Sequence, residues 1–142
     1  MLQAIPKALF SRGFIIRDGA QDVAEIDRSW WAERGMLTAN GTTYQVSREG
    51  VIFGDFLLET DGAIQVRAVM KMGWFRSSIH FEYAGKRYSL ASSGHGAQFL
   101  GGLGEKIGTV SRDRIDLPAE LPLAVRIFVF WMALFLWSQE SD

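Results

Sequence analysis

The sequence predicts a mainly β protein: an antiparallel closed β-barrel of about 10–12 strands that encloses one central hydrophobic C-terminal α-helix. Three observations predict it: short alternating segments separated by turn pairs, a hairpin unit that repeats, and the apolar stretch "LAVRIFVFWMALFLW" near the C-terminus. The length of 142 residues, 48% of them hydrophobic, fits one globular core. We therefore expect a single domain over 1–142, with the barrel at about 13–114 and the helix at about 119–138.

The region from Phe14 to about Arg112 is predicted to be a series of hairpins. Its segments are short and alternate apolar with polar residues, which is the period of a strand with one buried face. Two-residue combinations typical of hairpin turns separate them. These turn pairs are Asp18-Gly19, Asn40-Gly41, Asp61-Gly62 and Ala84-Gly85.

Alternation in two segments predicts which side chains face the core. In "AIQVRAVMKM" one face carries Ile64, Val66, Ala68, Met70 and Met72, and the other carries Gln65, Arg67, Val69 and Lys71. In "SSIHFEYAGKRYSL" the inward face is expected to carry Ile79, Phe81, Tyr83, Tyr88 and Leu90. His80, Glu82, Arg87 and Ser89 are then expected on the outside.

The hairpins form a repeat. Phe14, Phe56 and Phe99 each open a strand that turns on a glycine, and the return strands contain Val23, Val66 and Ile107. The unit recurs after roughly 42 to 43 residues, and a second hairpin pair begins at Trp31 and again at Trp74. A propeller has a similar period, but two and a half blades cannot close a ring.

The apolar C-terminal stretch is predicted to be the helix that fills the barrel. Pro118 and Pro122 precede it, Asp116 and Glu120 place negative charge near its N-terminus, and "SQESD" follows it. A helix that is apolar on all sides needs to be surrounded. Arg126 is expected near the barrel mouth, where its charge reaches water.

The sequence is compatible with two alternatives to a filled barrel. The first is a C-terminal membrane anchor, although the apolar run from Ile127 to Trp137 is shorter than the roughly 20 residues of a span. The second is a lipocalin-like carrier of an apolar ligand, which requires a lumen free of the helix.

Composition limits the partners and the compartment. The formal net charge is -1 and the pI is about 6.1, so nucleic acid is not an expected partner. The absence of cysteine excludes disulfides and thiolate chemistry. The N-terminal "MLQAIPKALFSRGF" lacks the apolar core of a signal peptide, so we expect a cytoplasmic protein, with peripheral association at a membrane left open.

The order of these segments resembles the tubby C-terminal-like superfamily, which includes tubby, phospholipid scramblase and plant LURP-one-related proteins. The resemblance rests on the hairpins "FIIRDGAQDVAEI" and "FLLETDGAIQVRAV", the strand pair "IHFEYAGKRYSL", and the last hairpin "KIGTVSRD" followed by one very apolar helix. It covers Phe14 to about Ser138. It implies an antiparallel barrel around a central helix and a non-enzymatic role in binding a lipid headgroup or a partner.

The familiar catalytic and metal motifs are not matched. "GGLGEKIG" lacks the Lys-Ser/Thr of a phosphate loop, and "SSGHG" is no nucleophile elbow. His80 next to Glu82 is interpreted as a surface pair, and the acidic residues between Asp18 and Asp27 lack EF-hand spacing. We therefore expect no enzyme activity, no cofactor and no metal.

Charge is distributed unevenly along the chain. Residues 63–114 carry eight Lys/Arg and three Asp/Glu, whereas both flanking regions are acidic. This basic middle segment suggests a face that binds an anionic membrane lipid or a protein partner. The simpler alternative is a solvated sheet face whose Lys and Arg residues prevent edge pairing. The candidate binding residues are Arg67, Lys71, Arg76, Lys86 and Arg87.

Overall fold

The computed structural model describes residues 1–7, 13–28, 34–49, 55–73, 77–94 and 96–140. Within these residues, twelve strands precede one C-terminal helix. The strands are β1 Leu2–Pro6, β2 Phe14–Asp18, β3 Gln21–Arg28, β4 Arg34–Ala39, β5 Thr42–Arg48, β6 Phe56–Thr60, β7 Ala63–Met72, β8 Ser77–Tyr83, β9 Lys86–Ser93, β10 Gly96–Leu100, β11 Lys106–Val110 and β12 Arg114–Asp116, and the helix is α1 Leu123–Glu140.

The strands form a closed antiparallel barrel. Each strand pairs with its neighbours in the sequence, and β1 pairs with β12 to close the ring. This confirms the predicted barrel around a C-terminal helix. The predicted range of about 13–114 is too short, because β1 lies before it and β12 ends beyond it. The closing pair Leu2↔Ile115 joins the first strand to the last strand, and no local pattern in the sequence indicates such a contact.

Tight turns connect the strands at one end of the barrel. Asn40, Asp61 and Ala84 each have φ of 51° and are followed by a glycine with positive φ, as a type I′ turn requires. These three predicted turn pairs are confirmed. The fourth is displaced by one residue: Asp18 belongs to β2, and Gly19, with φ of 63°, is the first central residue of the turn.

The three hairpins of the predicted repeat share a β-bulge. In each return strand one residue has no partner in the register. These residues are Val23, Gln65 and Ile107, and their spacing is that of the predicted repeat. The bulge at Gln65 shifts the alternation, so Ile64 faces outward and is 47% exposed, contrary to the prediction. The predicted match of Trp31 with Trp74 lies outside the described residues.

The helix occupies the barrel interior. From Leu123 to Trp137, all residues except Arg126 and Leu134 are buried, and they share one core with the inward side chains of the strands. Phe56 packs edge-on against both Trp131 and Phe135, at 5.8 and 5.1 Å between ring centroids. Each such large apolar side chain contributes about 1.5–3 kcal/mol by leaving water. The carrier alternative requires a free lumen, whereas α1 fills it.

The membrane-anchor alternative needs a helix long enough to cross a bilayer. Over the parts of the chain that the structure describes, no helix combines the length and the apolar character needed for a membrane span.

The helix begins later than predicted. The stretch before it forms a turn in which the Leu121 N–H donates to the Pro118 carbonyl, and the first helical hydrogen bond joins the Arg126 N–H to the Pro122 carbonyl. Proline at this position suits a helix start because no backbone N–H is lost from the helix. Arg126 is half-buried, and its Nε donates to the Leu121 carbonyl at 3.0 Å.

Two arginines from the barrel rim lie over the other end of α1. The Arg48 guanidinium is 4.5 Å from the centroid of the Phe135 ring, and that of Arg112 is 5.9 Å from the Trp137 ring. The last turn of the helix has no basic residue of its own. These cations, one at the end of β5 and one in the turn between β11 and β12, therefore complement both the ring faces and the negative end of the helix dipole.

Candidate binding site on the outer surface

A concave surface of about 730 Å³ lies on the outside of β7, β8 and β9. A glycine-rich turn, residues 101–105 between β10 and β11, forms one of its walls. We call this surface the outer groove. The side chains that give it its chemistry are Arg67, Lys71, His80, Glu82, Arg87 and Ser89.

Strand register explains why these side chains meet. Val66 and Ala68 are buried in the barrel, so Arg67 and Lys71 point away from it. The register Val69↔His80 continues as His80↔Ser89, which places His80 in the middle row of the three strands. The inward and outward faces predicted for β8 and β9 are thus confirmed at Ile79, Phe81, Tyr88 and Leu90, which are all buried.

The groove contains three of the five candidate binding residues. Arg67, Lys71 and Arg87 line it. Lys86 lies at the hairpin tip outside the lining, with its Nζ 3.7 Å from a carboxylate oxygen of Glu120. Arg76 lies outside the described residues.

Arg67 is already paired with carboxylates. Its Nη1 lies 2.7 Å from Asp55 Oδ2 and 3.3 Å from Glu49 Oε2, and these hydrogen bonds raise the pKa of the guanidinium further. Both acids flank the connection from β5 to β6, well before Arg67 in the sequence. The count of charges along the chain therefore overstates the positive charge at this part of the groove.

Lys71 and Arg87 differ from Arg67 in this respect. Both are exposed, and among the described residues neither has a carboxylate oxygen within 4.0 Å of its charged nitrogens. Arg87 is the register partner of Glu82, yet the two side chains form no ion pair. The groove therefore offers two cationic groups that are available to a ligand.

His80 is the titratable group in the middle of the groove. Its Nε2 and the Ser78 Oγ are 2.8 Å apart, so the predicted pairing with Glu82 is replaced by a hydrogen bond to the serine on the same strand face. Partial burial lowers the pKa of His80, and the nearby charge of Lys71 lowers it further. The lowered pKa favours the neutral imidazole at pH 7, in which one ring nitrogen is a donor and the other an acceptor.

A second concave surface was not predicted. It lies outside β3 to β6 and is lined by side chains of both charge signs, among them Asp27, Arg34 and Glu49. Leu57 lines it and is only 3% exposed, although its register partner Arg67 places it on the outer face. The run Phe56-Leu57-Leu58, which breaks the alternation, was the available signal in the sequence.

The acidic residues near β3 form ion pairs. Lys7 Nζ lies 2.9 Å from both Glu25 and Asp27, and the hydrogen bond to Asp27 is the main cause of the raised pKa of Lys7. Arg17 Nε lies 2.8 Å from Asp22. The described residues contain no group of three or more His, Asp or Glu side chains placed to hold a metal ion.

The outer groove is thus the surface where the structure brings predicted binding residues together. Comparisons of the chain with models of known protein families, with curated proteins and with solved structures found no match.

Proposed function

We propose that this protein is a non-enzymatic binding module that recognises the phosphate of an anionic phospholipid headgroup in its outer groove. The observation that carries the proposal is the placement of Lys71 and Arg87 in one concave surface without carboxylate partners among the described residues. An ammonium and a guanidinium are the groups that proteins use to bind phosphate. Ser89, on the same wall as Arg87, adds a hydroxyl donor.

The barrel architecture supports a role for the outer surface. Because α1 occupies the interior, ligands have access only to the outside and the two rims. The resemblance to the tubby C-terminal-like superfamily points in the same direction, and we propose membership of that superfamily on the same ground. Under this proposal the protein is cytoplasmic and associates peripherally with the membrane surface.

Binding is favoured over catalysis by the surroundings of His80. Its hydrogen bond to Ser78 has the length of a nucleophile–base contact, but a working pair also needs a group that orients the imidazole. Within the described part of the chain, no carboxylate is hydrogen-bonded to His80. The neutral His80–Ser78 pair is better suited to donating hydrogen bonds to a bound anion.

Vesicle flotation tests the proposal. Vesicles of phosphatidylcholine with phosphatidylserine and a phosphatidylinositol bisphosphate are compared with vesicles of phosphatidylcholine alone. Each cation near an anionic surface contributes about 1 kcal/mol, so Lys71→Gln and Arg87→Gln are each expected to weaken binding roughly fivefold.

Arg67→Gln and Lys86→Gln are the matched controls, because each removes the same kind of charge from a residue that already has a carboxylate partner. They are expected to weaken binding less than the two test variants. Absence of binding to the anionic vesicles, or equal losses in all four variants, would refute the proposal.

A further inference from the structure

Leu103 is the most exposed large apolar side chain among the described residues. It is 96% exposed, whereas Met1 and Met72, which follow it, are 68% and 66% exposed. Single exposed apolar residues are common on protein surfaces, so exposure by itself assigns no role to Leu103. The turn that holds it and the charged surface beside it carry the argument.

The turn that carries Leu103 is fixed by its own hydrogen bonds. The Leu103 N–H donates to Glu105 Oε2 at 3.0 Å, and the Gly101 N–H donates to the Glu105 carbonyl at 2.8 Å. The Gly104 N–H donates to the Gly101 carbonyl, and Gly104 has φ of +83°, which favours glycine. The backbone therefore holds Leu103 outward in a defined position.

The same turn belongs to the outer groove. Gly101, Gly102 and Gly104 line the groove, so Leu103 stands on its rim. The turn lies close to β9: a Cβ added to Gly102 would be 3.6 Å from the Arg87 carbonyl oxygen. Val69, 41% exposed, lines the groove as well. Apolar and cationic groups are thus combined in one surface.

We infer that Leu103 is an apolar anchor that enters the boundary between headgroups and acyl chains of an anionic bilayer while the groove holds a headgroup. The inference rests on the proposed function, whose site it extends. Charge complementarity favours a bilayer, because cationic side chains beside an exposed apolar tip match an anionic surface that covers hydrocarbon. The Glu105 carboxylate in the same turn accepts the hydrogen bond of the Leu103 N–H, so it is directed into the turn.

Leu103→Ser and Leu103→Trp test the anchor by flotation with the anionic vesicles described above. Removal of a leucine side chain from hydrocarbon is expected to weaken vesicle binding at least about tenfold in Leu103→Ser. Leu103→Trp is expected to retain binding, with tryptophan emission shifted to the blue and quenched by brominated acyl chains. Ile64→Ser is the control, since Ile64 is an exposed apolar residue outside the groove lining.

The soluble headgroup, inositol trisphosphate, separates the two proposals. Leu103→Ser is expected to bind inositol trisphosphate with the affinity of the wild type and to lose affinity only for vesicles. The anchor would be overturned if Leu103→Ser bound vesicles as the wild type does, or if it lost equal affinity for vesicles and for inositol trisphosphate. In either case the groove proposal would still be supported if Lys71→Gln weakened binding. Failure of the wild type to bind either probe would overturn both. Thermal melting of each variant verifies that it is folded.

Discussion

The indole Nε1 of Trp137 donates a hydrogen bond to the carbonyl oxygen of Gly96, 3.2 Å away. This contact joins the last turns of the central helix to the start of β10. Gly96 is itself packed tightly, because a Cβ at this position would lie 2.5 Å from the Val110 carbonyl oxygen. The end of α1 is therefore held by a directed bond in addition to apolar packing.

Substitution of Trp137 separates these two contributions. Trp137→Phe keeps a six-membered ring but removes the N–H donor together with part of the indole, so the free energy of unfolding is expected to fall by at least about 1 kcal/mol. Trp137→Ala also removes the buried ring and is expected to cost about 3–5 kcal/mol. Urea denaturation measures both values. Equal stabilities of wild type and Trp137→Phe would show that the hydrogen bond contributes nothing.

Removal of the helix is expected to abolish the fold. Without residues 121–142 the inward side chains of the strands would surround an empty apolar lumen, which lacks the dispersion contacts of a packed core. We expect an insoluble chain, or one that binds a hydrophobic dye and lacks near-ultraviolet circular dichroism. Deletion of 139–142, which keeps Trp137, is the control and should leave the protein folded. A soluble, cooperatively unfolding barrel without 121–142 would contradict this expectation.

The turn between β8 and β9 contains an unfavourable residue. Ala84 has φ of 51°, a left-handed conformation in which asparagine is much more common than alanine. Ala84→Asn is expected to stabilise the protein by about 0.5–1 kcal/mol. The equivalent turn between β4 and β5 provides the reciprocal test, because Asn40 has the same φ and Asn40→Ala should destabilise it by a similar amount. Thermal melts that shift in the same direction for both variants would refute the explanation.

Local patterns predicted the parts of the fold that depend on neighbours in the sequence. Turn pairs such as Asn40-Gly41 and the alternation from Ile79 to Tyr83 are local, and both appear in the structure. The pair Leu2↔Ile115, which closes the barrel, is not local, so β1 was missed. The bulge at Gln65 was missed for another reason: it inserts one residue without changing the composition of the strand, and Ile64 consequently faces outward.

The site was less predictable than the fold because charges act over distances that the sequence does not show. Arg67 and Arg87 both lie on outward strand faces and line the groove. Asp55 and Glu49 form ion pairs with Arg67, whereas Arg87 has no carboxylate partner among the described residues. Their proximity depends on the pairing of β6 with both β5 and β7. The sequence identified the strands that form the groove, and only the tertiary structure distinguished the paired cation from the available one.

The lowered pKa of His80 makes stability depend on pH in a defined direction. Burial, and then the charge of Lys71, lower the pKa in the folded protein below its ordinary value of 6.5, so the unfolded chain takes up a proton at this site before the folded protein does. The contribution of His80 to stability is therefore constant above pH 6.5 and decreases as the pH falls through 6.5 toward the folded-state pKa. His80→Gln removes this titration while retaining an amide that can hydrogen-bond to Ser78.

We accordingly expect the free energy of unfolding to fall more between pH 7.5 and pH 5 in the wild type than in His80→Gln, as measured by urea denaturation at both pH values. His80→Gln is the control for all other titrating groups, because their contributions are common to both proteins. The His80 imidazole resonance of the wild type, assigned by its absence from His80→Gln, should titrate below the ordinary value of 6.5. A phosphate group bound in the outer groove would favour the imidazolium and raise the titration midpoint of His80. The same titration in the presence of inositol trisphosphate therefore tests whether the ligand binds beside His80. Identical pH dependence in the two proteins would show that His80 is not partly buried beside Lys71 in solution.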